Sequence, residues 1–314
     1  MFEEEKETIE SSIKALLKRK LPKKLYDTSA YLILAGGKRS RPILAMKVCE
    51  FLNGDEDRAI PLAISLELIH NFTLLHDDIM DKDNMRRGVK TAHVVYGEPF
   101  AILAGDTLFS LAFENIAENY ESTIAKRISL EIAKMTREIC EGQALDMLFE
   151  KRNDVKEEEY MDMIYKKTAR LFESSARCGA IVANAEKEEV AKMARLGKNL
   201  GMGFQLADDV LGLMGKEEKI GKHIGNDIRR GKKTLIAIHA LKNADYEERK
   251  KIVSVMGNGN AGEGEIKKII KIFNRTGSID HSKSVVRGYF EEAKKEVKKS
   301  PLLDLINYME RREE

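Results

Sequence analysis

Apolar positions along the chain recur mostly at three- and four-residue steps, with no sustained two-residue alternation. That is the period of a helix face, and it predicts a mainly α-helical protein. Only 5 prolines occur in 314 residues, so few segments are barred from continuing a helix. The clearest element runs from Ile60 to Met80 (IPLAISLELIHNFTLLHDDIM), with Pro61 suited to its first turn. Its apolar residues lie on several faces, which predicts burial inside a multi-helix bundle. Further core helices are predicted over 99–118, 125–150 and about 188–212. Two stretches break the pattern. Residues 212–231 carry Gly212, Gly215, Gly221, Gly225 and Gly231 among several lysines and arginines, and Gly257-Asn258-Gly259-Asn260-Ala261-Gly262 reads as a surface loop. Neither has a linker's low complexity and no repeat of fixed period is present, so a single domain is expected over 1–314.

Composition narrows the function classes. Hydrophobic residues are 43% and charged residues 34%, enough for a large core under a soluble surface. With 54 basic and 52 acidic residues the net charge is +2, so the whole chain carries no strong field for nucleic acid. The cysteines Cys49, Cys140 and Cys178 are odd in number and far apart, which predicts a reduced, cytoplasmic protein with buried thiols. The acidic start Met1-Phe2-Glu3-Glu4-Glu5-Lys6 is unlike a signal or transit peptide. No apolar run is expected to be long enough to span a bilayer.

The chemistry concentrates in His76-Asp77-Asp78-Ile79-Met80-Asp81, followed after four residues by Arg86-Arg87-Gly88. Asp77 and Asp81 are four apart and share a helix face. Their mutual repulsion would become coordination around a divalent cation. Magnesium fits, because it takes one or two protein carboxylates and leaves the rest to water and phosphate. The arginines offer forked donors suited to phosphate. A second acidic pair, Asp208-Asp209, ends the helical run FQLADD. The alternative for each acidic group is a solvated helix end. Cations beside glycines recur in Gly36-Gly37-Lys38-Arg39-Ser40-Arg41-Pro42, Gly221-Lys222 and Gly231-Lys232-Lys233-Thr234, with Lys166-Lys167-Thr168 between them. Glycine lets backbone approach a phosphate closely. The spacing of a nucleotide P-loop is missing, which weakens a kinase or ATPase reading. His70, six residues before His76, is either a core histidine or part of the acidic site.

In order, GGKRSRP, HDDIMD, RRG, KKTARL, FQLADD, GK and GKKT resemble the trans-isoprenyl diphosphate synthases over roughly residues 30–240, in the style of archaeal geranylgeranyl and farnesyl diphosphate synthases. The resemblance implies an all-α, single-domain multi-helix bundle around a deep central cavity, and a homodimer. It assigns Asp77, Asp81 and Asp208 to Mg2+. It assigns Lys38, Arg41, His70 and Arg87 to the diphosphate of isopentenyl diphosphate, and Arg86, Lys167, Thr168, Gln205, Lys222 and Lys232 to an allylic diphosphate (dimethylallyl, geranyl or farnesyl). Asp77, Asp81, Asp208, Arg86, Lys167 and Lys222 would take part directly in ionising the allylic carbon–oxygen bond. The resulting cation is attacked by the alkene of isopentenyl diphosphate, and a proton then leaves.

Product length would be set near Phe72 and Thr73, five and four residues before Asp77. At about 1.5 Å rise per residue, Phe72 lies roughly 7–8 Å deeper than the metal site along the helix. The resemblance, with an aromatic at that position and a short first aspartate motif, implies a twenty-carbon product, geranylgeranyl diphosphate, with farnesyl diphosphate as the competitor. Two other readings compete. A class I terpene cyclase needs no second diphosphate pocket, against which GGKRSRP, His70 and Arg87 count. A non-catalytic partner subunit is favoured by one departure from the family: Gly212 stands where a third aspartate is usual. Asp209 cannot replace it, being rotated roughly 100° from Asp208 around the helix. Gly212→Asp is therefore expected to leave turnover unchanged or raise it in steady-state assays, and a collapse would show a site rebuilt around glycine.

Overall fold

The computed structural model describes residues 2–18, 21–214, 225–297 and 299–311. The long predicted helices form with nearly the predicted bounds: α4 (Ile60–Met80), α6 (Glu98–Asn119), α7 (Ser122–Phe149) and α10 (Lys187–Met214). Before α4 come α1 (Glu3–Leu17), α2 (Lys23–Leu34) and α3 (Ser40–Phe51), and between α4 and α6 the short α5 (Ala92–Tyr96). Between α7 and α10 lie α8 (Glu157–Ile164), one turn of π-helix (Tyr165–Ala169) and α9 (Arg170–Val182). The described chain ends with α11 (Asn226–Arg230), α12 (Leu235–Asn243), α13 (Tyr246–Val255), α14 (Glu263–Arg275), α15 (Ser278–Lys295) and α16 (Pro301–Arg311). Among the described residues the strands are two, Met85–Arg86 and Val89–Lys90, paired antiparallel. The protein is all-α.

The chain folds as two compact units. The first comprises Met1–Thr136, Ser174–Ala194 and Ser300–Leu302. The second comprises Arg137–Glu173, Arg195–Lys299 and Leu303–Glu314.

In the first unit α4 is the core, packed on α3 and α6. Every residue from Leu62 to Ile69 is buried. Ser65 on this apolar helix and Asn115 on α6 are matched across the interface between the two helices. Ser65 Oγ donates to Ala112 O (3.0 Å), and Asn115 Nδ2 donates to Pro61 O (2.7 Å) and Ser65 Oγ (2.9 Å). The first N–H groups of a helix have no partner within it. That of Leu62 donates instead to Tyr120 Oη (3.1 Å), whose own proton goes to Arg58 O (2.6 Å). Lys47 gathers Glu5 (2.6 Å), Glu56 (2.9 Å) and Glu50 (3.1 Å), fastening α1 to α3.

In the second unit, Val210 and Leu213 of α10 pack with Ile236 of α12, Ile252 of α13 and Ile269 of α14. Helix α14 buries Ile266, Ile269, Ile272 and Phe273, the three- and four-residue spacing of a single stripe. Side-chain caps start α12 (Thr234 Oγ1 accepts from Ala237 N, 3.3 Å) and α13 (Asp245 Oδ1 accepts from Glu248 N, 2.9 Å).

Two expectations are corrected. Glu56–Met80 and Glu98–Asn119 are, by length and composition alone, long and apolar enough to cross a membrane. Packing on α3 and α6 accounts for the apolar character of α4, whereas α6 leaves Ile102 and Leu103 exposed. Cys49 and Cys178 are buried as expected, but Cys140 is exposed, because it falls on the outward stripe of α7. Tyr120→Phe removes the acceptor of a fully buried Leu62 N–H, so unfolding in denaturant is expected to need about 1–3 kcal/mol less.

Candidate active site

In the first unit the last turn of α4 runs through Asp81, whose N–H donates to Asp77 O (2.8 Å). Asp77 and Asp81 thus keep the shared helix face that their spacing predicts. Asp78, between them, turns inward and is 1% exposed. It accepts from Arg86 Nε at 2.5 Å, and its Oδ2 is buried without a hydrogen-bond partner. Burial raises the Asp78 pKa to about 6 despite Arg86. Arg86 Nη2 also lies 3.9 Å from Asp77 Oδ2, so this arginine braces the acidic helix end.

A tight hairpin delivers the arginines. Arg86 pairs with Val89, leaving Arg87-Gly88 as a two-residue loop with φ of 52° and 77°. Positive φ at both loop residues marks the turn whose twist suits a hairpin. Arg87 then reaches Leu32 O (2.8 Å) and Asn71 Oδ1 (3.5 Å). Gly37 is required beneath it: a Cβ there would lie 2.7 Å from Arg39 Nη1 and 3.1 Å from Arg87 Cζ.

Arg41 Nη1 donates to His70 Nε2 at 3.3 Å, which makes that nitrogen an acceptor, since guanidinium only donates. Burial, then the charges of Arg41, Arg87, Arg86 and Arg39, hold the His70 pKa well below its ordinary value. The imidazole is neutral. The structure therefore brings Arg41, His70 and Arg87 together, with Lys38 exposed on the same loop. One helical turn before Asp77, Phe72 packs edge-on against His76 (4.9 Å between ring centres) and against Phe109 (5.3 Å), which in turn meets Phe113 (5.1 Å). Thr73 Oγ1 donates back to His70 O (2.8 Å).

The second unit gathers another set. Lys167 and Thr168 lie in the π-helical turn, a wider turn than the α-helix allows. Glycines on two neighbouring helices let backbone approach it. A Cβ on Gly142 would strike Lys167 N at 2.4 Å, and one on Gly201 would strike Ala169 Cα at 2.6 Å. Lys167 Nζ and Lys232 Nζ both donate to Asp146 Oδ2 at 2.6 Å. Burial pushes the Asp146 carboxyl up, but the two lysines outweigh it and hold it below its usual range. Thr168 Oγ1 donates to Gln205 Oε1 (2.7 Å), and Gln205 Nε2 donates to Asp209 Oδ1 (2.9 Å). Tyr160 Oη donates to the other oxygen of Asp209. Asp208 is exposed while Asp209 is turned inward, where burial, with the nearby Asp227 carboxylate adding to it, raises its pKa to about 8. Lys222 lies outside the described residues.

Sequence reasoning missed Asp146, Glu67 and Tyr160, which hold the predicted residues in place. The available signal was a single acid inside an apolar helical run, as in QALDMLF and ISLELI, since such a group needs a partner. Among the described residues, no group of three or more His, Cys, Asp or Glu side chains is arranged to hold a metal ion alone. A cation that takes one or two carboxylates plus water and phosphate, as magnesium does, suits this donor set. Gly142→Ala is expected to displace the π-helical turn and weaken magnesium-dependent binding of inorganic pyrophosphate by about 10- to 100-fold in calorimetry, with helix content unchanged by circular dichroism.

The family model for polyprenyl synthetase matches residues 22–273. A short chain isoprenyl diphosphate synthase of Methanocaldococcus jannaschii is 46% identical over 260 residues, covering 83% of this chain and 79% of its own. A geranylgeranyl diphosphate synthase of Saccharolobus solfataricus is 43% identical over 284 residues, covering 89% of this chain and 85% of its own. The crystal structure of geranylgeranyl pyrophosphate synthetase from Pyrococcus horikoshii matches with a TM-score of 0.93 at 39% identity, covering 100% of this chain and 97% of that one. With the family model spanning most of its length, the chain belongs to the polyprenyl synthetase family.

Proposed function

We propose that this chain condenses isopentenyl diphosphate with allylic diphosphates, head to tail, to give geranylgeranyl diphosphate. The observation that carries this reading is that each unit gathers its own cationic cluster: Arg41, His70 and Arg87 in one, Lys167 and Lys232 in the other. A condensation needs two diphosphates held at once, whereas a cyclase needs one.

Family members depend on divalent metal. Asp77, Asp81 and Asp208 would hold it as Mg2+ here, and bound magnesium would supply positive charge to the departing diphosphate. Lys167 and Lys232 are held side by side by Asp146, where their ammonium groups would meet phosphate oxygens. Thr168 and Gln205 are fixed by Asp209 and Tyr160, Arg86 braces the first acidic motif, and Lys222 belongs to the same allylic set. Lys38, Arg41, His70 and Arg87 hold isopentenyl diphosphate, with His70 contributing without adding charge. Apolar walls of a deep cavity keep water from the allylic cation, and Phe72, backed by Phe109 and Phe113, closes that cavity against the growing chain. In this reading both units serve one catalytic domain, two chains form a homodimer, and the enzyme works in the cytoplasm. The exposed side chains Val94, Val95, Ile102 and Leu103 support the dimer.

The test is incubation with labelled isopentenyl diphosphate and each of dimethylallyl, geranyl and farnesyl diphosphate, with and without chelator, followed by product chromatography. Elongation to a twenty-carbon product by the purified chain alone, abolished by chelator, is expected. Ionisation of an allylic primer with no label incorporated would overturn the reading. Phe72→Ala is expected to lengthen the product, and an unchanged distribution would remove this ring from the argument.

A further inference from the structure

Glu67 lies midway along α4 among apolar residues and is 2% exposed. Its Oε1 accepts from Arg39 Nη1 (2.7 Å) and Asn71 Nδ2 (2.8 Å). The Arg39 side chain is fully buried. Its remaining bonds end on Gly36 O (3.2 Å), Ile33 O (2.5 Å) and Glu10 Oε1 (3.0 Å). Asn71 points its own Oδ1 at Arg87 Nη1 (3.5 Å). One buried carboxylate is therefore tied, through a guanidinium, to the backbone of the glycine loop and, through an amide, to Arg87. The roles assigned above to the basic motif go to Lys38 and Arg41; Arg39, between them, faces inward.

We propose that Glu67 is a positioning residue for the isopentenyl diphosphate pocket. Through Arg39 it fixes the glycine loop that carries Lys38 and leads into Arg41 at the start of α3, and through Asn71 it fixes the guanidinium of Arg87. It touches no substrate itself. The inference rests on the reading that Lys38, Arg41, His70 and Arg87 take that diphosphate. The competing role is purely structural, a buried ion pair that only holds α4 to the loop. The two differ in a checkable way. Replacing both partners of a buried pair by apolar residues commonly restores stability, but it rebuilds no polar tether.

The experiment compares full-length Glu67→Gln, Asn71→Leu and the double variant Arg39→Met/Glu67→Met. Thermal melts are combined with steady-state kinetics in which each substrate is varied in turn. Each variant is expected to raise KM for isopentenyl diphosphate by about tenfold or more while KM for the allylic primer stays within about twofold. The double variant is expected to recover its melting temperature without recovering that KM. Recovery of both together, or an equal rise in both KM values, would overturn the proposal. Asn71→Leu cuts the amide link between Glu67 and Arg87 but leaves the Arg39–Glu67 pair in place, so it decides the matter if the Glu67 variants do not fold. Arg87→Ala separates the two levels of the argument. If it leaves the isopentenyl diphosphate KM unchanged, the pocket assignment falls and this inference with it. If it raises that KM and the other variants do not, only the positioning role is lost.

Discussion

Cations gathered into one cluster repel one another, and both units meet this constraint with a carboxylate paired to the cluster. Two unit charges 4 Å apart interact by about 4 kcal/mol at the effective dielectric near a protein surface. Left uncompensated, such repulsion would splay long, flexible side chains into water. Asp146 answers it in the second unit by accepting from both Lys167 and Lys232 on one oxygen. Glu67 answers it in the first by accepting from Arg39 beside Arg87. Histidine contributes a different economy. At His70, burial and four neighbouring arginines keep the imidazole neutral, so the pocket gains a hydrogen-bonding group without a further positive charge.

The side chains so balanced sit where the backbone departs from regular helix. Lys167 and Thr168 occupy a π-helical turn, Arg87 a left-handed position in a two-residue hairpin loop, and Lys38 a loop bearing Gly36 and Gly37 at positive φ. Such departures are tolerated only where the surroundings over-determine them. Here the surroundings are glycines that admit a neighbouring backbone or guanidinium: Gly142 and Gly201 against the π turn, Gly37 against Arg39 and Arg87. The regular helices provide rigidity, and the irregular turns on them provide aim.

This division explains what could be read in advance. Ile60–Met80 forms with the predicted bounds because twenty-one residues of apolar periodicity, a proline at the start and an acidic end all agree. The Met85–Lys90 hairpin was invisible to periodicity, since two-residue strands are too short to show alternation, although Arg-Gly at its tip is a turn signal. Cations gathered in short motifs were legible as cationic clusters. Their counter-ions were not, because Glu67 and Asp146 are separated in sequence from Arg39 and Lys232 by 28 and 86 residues. A lone acid in an apolar helix announces that a partner exists without saying which one it is.

The glycine at the end of the second acidic motif shows how a departure in sequence changes meaning in three dimensions. Read linearly, Gly212 subtracts a carboxylate from a metal-binding helix and so favours a chain without activity. In the fold, Gly225 N donates to Gly212 O (3.2 Å), which anchors the start of α11 at this point of α10. Asp227 on α11 then brings its Oδ2 to 3.1 Å from where a Gly212 Cβ would stand. A carboxylate is thus present on the neighbouring helix, and a side chain at 212 would crowd it. A carboxylate added at 212 would meet a second one, a pairing tolerable only with a cation between them. The feature that most favoured a non-catalytic subunit therefore no longer argues for one.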